Sequence, residues 1–349
     1  MRVYANTDPR LGPAEIADHA RRVEAAGYDG MHVSETLHDP FLLAAAALQA
    51  TSRIVVRTSV ALAFVRSPVL TAYTAWDLAR VSGGRFHLGL GSQIRQNVEQ
   101  RYAMPWSEPA GRMREYVHVV RAAFATFRSG ELVPFEGEHY RFTRMQPYFN
   151  PFDGRPAPPE PPVYLGGVGA RMCRAAGEVA DGYLAHPTNS SPRCLAEDTL
   201  PALATGAASA GRGRGDLDVI AGVQVITGDT EADLARERER QRRQFAFLYS
   251  TPAYRRGLDS VGLGHLQQPL ASMVRDDSWS ALADVVTDDV LAALLPTARY
   301  AELADAVRGR VGGLVDGVTL ALPTDAAQDG QMARVVARLR ESPSGGEPA

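Results

Sequence analysis

The sequence has 349 residues, of which 45% are hydrophobic and 22% charged, and its formal net charge is −3. These values are ordinary for a globular protein and exclude a wholly disordered or supercharged chain. All 37 basic residues are arginines, which excludes enzymes that need a neutral lysine nucleophile or the phosphate-binding lysine of a Walker loop.

Short apolar runs alternate along the chain with longer segments of helical period. The runs are apolar throughout rather than at every second position, a pattern typical of parallel strands that are buried on both faces. Strands are predicted at residues 2–6, 29–35, 54–64, 85–91, 163–167, 181–187, 217–227 and 316–323.

Helices are predicted between these strands. Pro13 and Gly27 suit the start and end of the first helix, and Pro68 and Gly83 suit those of a later one. Further helices are predicted at 111–129, 169–180, 192–210, 230–249 and 325–340. The repeated strand–helix unit indicates an α/β fold, a single (β/α)8 TIM barrel over residues 1–340, with its functional groups after the strands. A doubly wound open sheet is the alternative.

Two predicted connections are much longer than the usual roughly 2 to 6 residues. Residues 130–162 contain a hairpin-like stretch at 133–140 and a proline-rich linker, and residues 251–296 read mostly as helix. Such insertions are candidate lids or subunit contacts, or plain decoration. Residues 341–349 are expected to form a disordered tail.

Several features bear on location and partners. Cys173 and Cys194 are too few for a disulfide framework, and the eight histidines lack metal-ligand spacing, so no metal site is expected. The first residues enter a predicted strand rather than a signal peptide, no run of about 18 apolar residues is present, and there is no basic stripe. We expect a cytoplasmic protein that binds a small-molecule substrate and neither nucleic acid nor membrane.

Three ionisable side chains, Glu35, His38 and Asp39, follow the second predicted strand. A TIM barrel carries its catalytic groups at this position, and a glutamate or histidine there suits proton transfer. Alternatively, Asp39 caps the next helix while His38 packs beneath it. Glu35 and His38 are the candidate catalytic residues.

Two predicted strands run into small residues. After residues 163–167 a glycine cluster leads into a helix, which suits a phosphate cradle or simply a tight turn. Met172 stands where a dinucleotide fingerprint needs its third glycine. The strand at 85–91 ends at Gly91 and Ser92, where a flat ligand can approach or where small residues fit the barrel taper. His186 and Asn6 follow other strands at the same mouth.

Short motifs occur along nearly the whole chain. They are Arg-Ile and Thr-Ser-Val-Ala within 53–61, Ser-Pro at 67–68, Ser-Gly-Gly-Arg-Phe at 82–86, Gly-Leu-Gly at 89–91, Val-Tyr-Leu-Gly-Gly at 163–167 and Ala-Asp-Gly-Tyr at 180–183. In this order the chain resembles the bacterial luciferase-like monooxygenase superfamily. Motifs at 35–41, 75–77, 104–106 and 112–116 resemble its subgroup of coenzyme F420 (deazaflavin)-dependent oxidoreductases.

The resemblance implies a luciferase-like TIM barrel, usually a homodimer, that holds the tricyclic ring of coenzyme F420 at its C-terminal mouth. The coenzyme exchanges a hydride at C5 with a small organic substrate, and Glu35 or His38 is expected to handle the proton. The family's non-proline cis peptide behind the ring matches the bond between Ser59 and Val60. The residues expected to bind the coenzyme are Thr58, Ser59, Val60, Gly91, Ser92, Gly166, Gly167, Val168, Gly169 and His186.

The chain departs from the superfamily's sugar-phosphate dehydrogenases. Those enzymes have an Asp-His pair after the second strand and a Glu after the fourth, where this chain has Glu35, Thr36 and Ile94. Their phosphate-binding lysines cannot occur here. Two alternatives stay open: a reduced-FMN-dependent monooxygenase of the same fold, and a catalytically idle barrel that only binds a ligand.

Overall fold

The computed structural model describes residues 1–341, so the predicted tail lies outside the described residues apart from Glu341. Parallel strands form a closed eight-stranded barrel with helices around it. In chain order the strands are β1 Arg2–Asn6, β2 Gly30–Val33, β3 Val55–Thr58, β4 Ala61–Leu62, β5 Phe86–Gly91, β6 Phe135–Glu136, β7 Arg141–Phe142, β8 Val163–Gly167, β9 Gly182–Ala185, β10 Asp218–Gly222, β11 Ile226–Gly228, β12 Thr297–Arg299 and β13 Gly317–Ala321.

The barrel order is β3-β2-β1-β13-β10-β9-β8-β5, and β5 pairs with β3 to close it. The short β4 continues β3 and pairs with β5. All pairings in this sheet are parallel, so the predicted TIM barrel is confirmed and the open doubly wound sheet is wrong.

The helices follow the strands in the expected alternation. They are α1 Ile16–Ala25, α2 Pro40–Ala50, α3 Pro68–Ser82, α4 Pro109–Ser129, α5 Ala170–Val179, α6 Leu200–Ser209, α7 Glu231–Tyr249, α8 Arg255–Asp259, α9 Gln267–Arg275, α10 Asp288–Leu294, α11 Tyr300–Val311 and α12 Asp329–Arg340. No helix within residues 1–341 is long and apolar enough to cross a membrane.

Local sequence fixes several helix ends. The Asp39 carboxylate accepts hydrogen bonds from the N–H groups of Phe41 and Leu42, so α2 begins at Pro40 as a capped helix. Gly83, with φ of 65°, ends α3 in the left-handed conformation that favours glycine.

Two predicted strands are interrupted in the structure. The run 54–64 divides into β3 and β4 around residues 59–60, and the run 217–227 divides into β10 and β11. Strand β11 leaves the barrel and pairs with β12. The hairpin within 130–162 is present. Its antiparallel strands β6 and β7 span 135–142, two residues later than the predicted 133–140.

The insertion at 251–296 is mostly helical, as predicted, and shares with α7 an apolar cluster that is separate from the main core. Side chains of α7, α9 and α10 form this cluster, which includes Phe245, Tyr249, Leu270 and Leu291. The main core lies separately, between the barrel and its surrounding helices. The insertion therefore packs as a compact unit beside the barrel.

Candidate active site

The predicted site residues all lie at or just after the carboxyl ends of barrel strands. Because the barrel strands are parallel, these ends meet at one mouth. The structure thus places Glu35 and His38 after β2, Thr58, Ser59 and Val60 at the end of β3, Gly91 and Ser92 at the end of β5, residues 166–169 at the end of β8, and His186 after β9.

Glu35 is held by Arg66. The Arg66 guanidinium donates to the two Glu35 oxygens at 2.8 and 2.6 Å, and the Leu62 N–H donates to Oε2 at 2.7 Å. The Glu35 side chain is only 8% exposed. Arg66 also donates to Asp39 at 2.9 Å. Glu35 therefore ties the loop after β2 to β4, and both of its oxygens are occupied.

His38 lies on the same loop but is not hydrogen-bonded to Glu35 or Arg66. Its half-buried ring lies against Gly12, where an added Cβ would be 3.5 Å from Nε2. The structure therefore does not join the two candidate catalytic residues as a pair. Asp39 caps α2, as the alternative interpretation predicts.

The Ser59–Val60 peptide bond is cis, as the resemblance implies. Neighbouring groups hold this segment on both sides. The Ser59 N–H donates to the Val33 carbonyl at 2.7 Å, the Ser34 hydroxyl donates to the Ser59 carbonyl at 3.1 Å, and the Glu35 N–H donates to the Val60 carbonyl at 3.3 Å. Sequence reasoning did not single out Ser34, which serves here as a positioning residue.

Thr58 lies behind the mouth and is fully buried. Its hydroxyl donates to the Gly89 carbonyl at 2.7 Å and accepts from the Gly89 N–H at 2.9 Å. Both hydrogen bonds fasten β3 to β5. The structure thus gives Thr58 a positioning role rather than the direct coenzyme contact expected from the sequence.

The Val60 side chain packs against Gly91 and Gly166, and we call these three residues the Val60 platform. A Cβ added at Gly91 would lie 2.5 Å from Val60 Cγ2, and one added at Gly166 would lie 2.8 Å from Val60 Cγ1. Ordinary carbon contacts need about 3.5–4.0 Å. The two glycines are therefore required because Val60 occupies the space that their side chains would fill.

The start of α5 is open. Gly169 is exposed with φ of +87°, and no side chain caps the helix. Nearby, the Tyr183 hydroxyl donates to the Gly167 carbonyl at 2.5 Å and fixes the preceding turn. Uncapped N–H groups at the positive end of a helix favour an anion.

His186 adds a neutral ring beside this turn. Its Nδ1 is 2.8 Å from the Thr188 hydroxyl and accepts from the Thr188 N–H at 3.3 Å, which leaves the proton on Nε2. Burial lowers the pKa of His186 to about 4. The ring stacks on Tyr254 of the insertion, with centroids 4.6 Å apart and planes 5° apart. The insertion therefore reaches the mouth through Tyr254.

Comparison with known proteins decides the family. Residues 2–317 match the family model for luciferase-like monooxygenases. This chain belongs to that family. An uncharacterised protein of Mycobacterium tuberculosis is 42% identical over 306 residues, which cover 87% of this chain and 89% of that protein. An F420-dependent glucose-6-phosphate dehydrogenase of Nakamurella multipartita is 31% identical over 304 residues, covering 82% and 83%.

A solved structure shows the same fold. The coenzyme F420-dependent tetrahydromethanopterin reductase of Methanopyrus kandleri matches with a TM-score of 0.80 and 19% identity, over 96% of this chain and 98% of that one. This agreement supports the luciferase-like barrel assignment.

Groups at the mouth suit a coenzyme that carries both a ring and a phosphate. The half-buried Val60 side chain offers an apolar contact for a ring, and the uncapped start of α5 suits a phosphate group. Nε2 of His186 supplies a hydrogen-bond donor nearby.

The sequence did not predict a role for Arg57, a charged residue inside the luciferase-like barrel. Arg57 of β3 is fully buried and contacts His32 and His87, which lie on the two neighbouring strands. The available signal was an arginine within an otherwise apolar run that was predicted to be buried on both faces.

Proposed function

We propose that this luciferase-like protein is a coenzyme F420-dependent oxidoreductase that acts on a small organic substrate at the barrel mouth. When bound, the coenzyme supplies hydride exchange at C5. The observation that carries the proposal is the Val60 platform beside the uncapped start of α5. The 31% identical relative from Nakamurella multipartita, which is named as F420-dependent, supports the choice of coenzyme.

In this proposal the chain's own groups bind and orient the coenzyme. Val60 supports the ring, and Gly91 and Gly166 leave room for its γ carbons. The first N–H groups of α5 bind a phosphate. Arg171 at the same helix end is 80% exposed and only 3.9 Å from Glu108 in an exposed ion pair, so in this proposal it can turn to an acidic tail.

Proton handling is assigned to the loop after β2. Removing a hydride from a substrate carbon takes away two electrons and one proton, and a second proton leaves separately from the attached heteroatom. Both oxygens of Glu35 are occupied by Arg66 and Leu62, whereas neither Glu35 nor Arg66 holds His38. We therefore assign the second proton to the His38 ring and a positioning role to Glu35.

The substrate is proposed to be something other than a sugar phosphate. Glu35, Thr36 and Ile94 stand where sugar-phosphate dehydrogenases of this fold carry their acid–base residues, and no lysine is present to bind a substrate phosphate. A neutral substrate without a phosphate group suits the neutral His186 ring at the mouth.

The first test is equilibrium binding of oxidised coenzyme F420 and, separately, of FMN, followed by quenching of tryptophan fluorescence. Tighter binding of F420 supports the proposal. Preference for FMN would favour the reduced-FMN monooxygenase, a reading supported by the description of the family itself. F420 binding without turnover across a substrate screen would favour the idle barrel.

The proton assignment is tested with single variants. His38→Gln is expected to lower turnover about 10²–10⁴-fold, the range typical of a lost general acid or base, while F420 affinity stays unchanged. Glu35→Gln is expected to lower the free energy of unfolding in addition to turnover, because it weakens the contact with Arg66. Unchanged turnover after replacement of both residues by alanine, with coenzyme binding retained, would refute the assignment.

We also propose that the protein is a homodimer. Helix α2 is almost entirely apolar, yet Leu42 on its outer face is 63% exposed, and Leu70 of α3 is 65% exposed. A helix that is apolar all round is normally buried. Leu42→Glu is expected to give monomers in analytical ultracentrifugation, whereas Trp279→Glu on the insertion is expected to leave the mass unchanged.

A further inference from the structure

Arg57 is buried at the centre of the barrel among neutral partners. Its Nη1 is 2.9 Å from His32 Nε2, and its Nη2 is 3.0 Å from His87 Nδ1. The guanidinium also lies 3.9 Å from the ring centroid of Tyr164 and 4.6 Å from that of Tyr4. We call these five residues the Arg57 cluster.

The two histidines carry no compensating charge. Burial lowers the pKa of His87 to about 3, and the positive charge of Arg57 acts in the same direction. Burial likewise lowers the pKa of His32 well below its ordinary value. Both rings are therefore neutral at pH 7, and each accepts a hydrogen bond from the guanidinium.

Asp218 contacts the cluster through Tyr164 but is already paired with another arginine. Asp218 accepts a hydrogen bond from the Tyr164 hydroxyl at 2.7 Å and forms an ion pair with Arg2. Within residues 1–341, no carboxylate forms a salt bridge with Arg57, and its Nε has no hydrogen-bond partner. The Arg57 cluster thus holds a positive charge that the barrel interior leaves uncompensated.

Such a charge is costly to bury, and apolar residues of similar volume would fill the same space at lower cost. In an interior of low dielectric constant its field extends further than it would in water. A ligand that brings negative charge to the same region would offset that cost.

The cluster lies close to the Val60 platform. Arg57 is in register with His87 on β5, and Gly89 and Gly91 follow at the next inward-facing positions of that strand. Along β3, Arg57 and Val60 are three residues apart, so their Cα atoms are separated by at most roughly 11 Å. The uncompensated charge therefore lies beneath the surface on which the ring is proposed to rest.

We propose that Arg57 favours the hydride-reduced form of the coenzyme over the oxidised form. This inference rests on the proposed function. A hydride brings two electrons and one proton, so the ring gains one unit of negative charge. The ring keeps this charge at a pH above the pKa of its reduced form, where no second proton is taken up from solvent, and binding is measured at such a pH. For charges roughly 10 Å apart at an effective dielectric constant of about 20, the expected preference is on the order of tenfold.

A matched pair of variants at His87 isolates the charge. His87→Asn keeps a neutral acceptor for Arg57. The aspartate of His87→Asp has nearly the same shape as that asparagine but places a carboxylate against the guanidinium. The dissociation constants of oxidised and reduced F420 are measured without oxygen by tryptophan quenching on the full chain. The ratio of the oxidised to the reduced constant is expected to be about tenfold lower for the aspartate variant. This equals a lowering of the bound coenzyme's midpoint potential by about 30 mV.

Arg57→Met is a second, independent variant that removes the charge and keeps an apolar side chain, with circular dichroism as a check on folding. It is expected to lower the same ratio. Equal ratios, within twofold, in the wild type and all folded variants would overturn the inference while leaving the proposed function standing. Failure of the wild-type chain to bind either form of F420 would overturn the proposed function and this inference with it.

Discussion

The Val60 platform makes a quantitative prediction about packing. In Gly91→Ala the new Cβ would lie 2.5 Å from Val60 Cγ2, which is about 1 Å inside an ordinary carbon contact. Val60 is flanked by Gly166 on its other side, so its side chain cannot turn away freely. Overpacking of this kind costs typically about 1–3 kcal/mol.

The second half of the cycle removes the clash. Val60→Ala deletes both γ carbons and is expected to cost about 1 kcal/mol by itself, because Val60 is only half-buried. In the double variant the new methyl group fills part of the space that Val60 leaves. The loss of unfolding free energy in the double variant is therefore expected to be at least about 1 kcal/mol smaller than the sum of the losses in the two single variants.

Urea unfolding at 25 °C measures all three variants, and Gly330→Ala serves as the control. Gly330 lies in the first turn of α12 with no atom within 4 Å of an added Cβ, so its substitution is expected to stabilise the protein by about 0.5–1 kcal/mol. Gly91→Ala is also expected to weaken F420 binding because Val60 is pushed towards the ring. If the change in unfolding free energy of the double variant equals the sum of the two single changes within about 0.5 kcal/mol, contact with Val60 is not the reason why position 91 requires glycine.

Three further predictions follow from contacts of single residues. Thr58→Val removes both hydrogen bonds to Gly89 and is expected to lower the free energy of unfolding by about 1–3 kcal/mol in urea titrations, whereas an unchanged midpoint would contradict the fastening role. Because His186 has a folded pKa of about 4 against 6.5 unfolded, the unfolded chain binds more protons between these values, so stability falls as pH drops from about 6.5 towards 4. His186→Gln should reduce the slope of urea midpoint against pH, with the remainder due to His87 and His32, and an equal slope would exclude a contribution of His186. Asp39→Ala should cost about 1 kcal/mol of unfolding free energy through loss of the α2 cap, while Asp39→Asn, which can cap as well, should cost less.

The fold was predictable because its signals are local. Apolar runs such as 163–167 mark strands whichever barrel they belong to, and Pro68 and Gly83 mark the ends of α3 by backbone geometry alone. The cis bond at Ser59–Val60 came from the motifs of the family, since no propensity rule predicts it.

Pairing over long sequence distances was not predictable. Arg66 is 31 residues from Glu35, and nothing in either segment shows that the guanidinium would occupy the carboxylate. Arg57 could not be predicted for a related reason. Its partners His32 and His87 are on other strands, so the Arg57 cluster can be recognised only once the strand register is known. Thr58 was assigned to the coenzyme because the family motif contains it, whereas only the structure shows both of its hydrogen bonds going to Gly89.

The separate apolar cluster of the insertion has an evolutionary consequence. Its core residues, among them Leu270 and Leu291, pack with Phe245 of α7 rather than with the main core of the barrel. Substitutions within this unit can reshape the approach to the mouth without disturbing the strands that hold the Val60 platform. Descendants of one ancestral barrel can thus acquire different substrate preferences by exchanging or remodelling this unit. Such a change would reach the mouth through Tyr254, which stacks on His186.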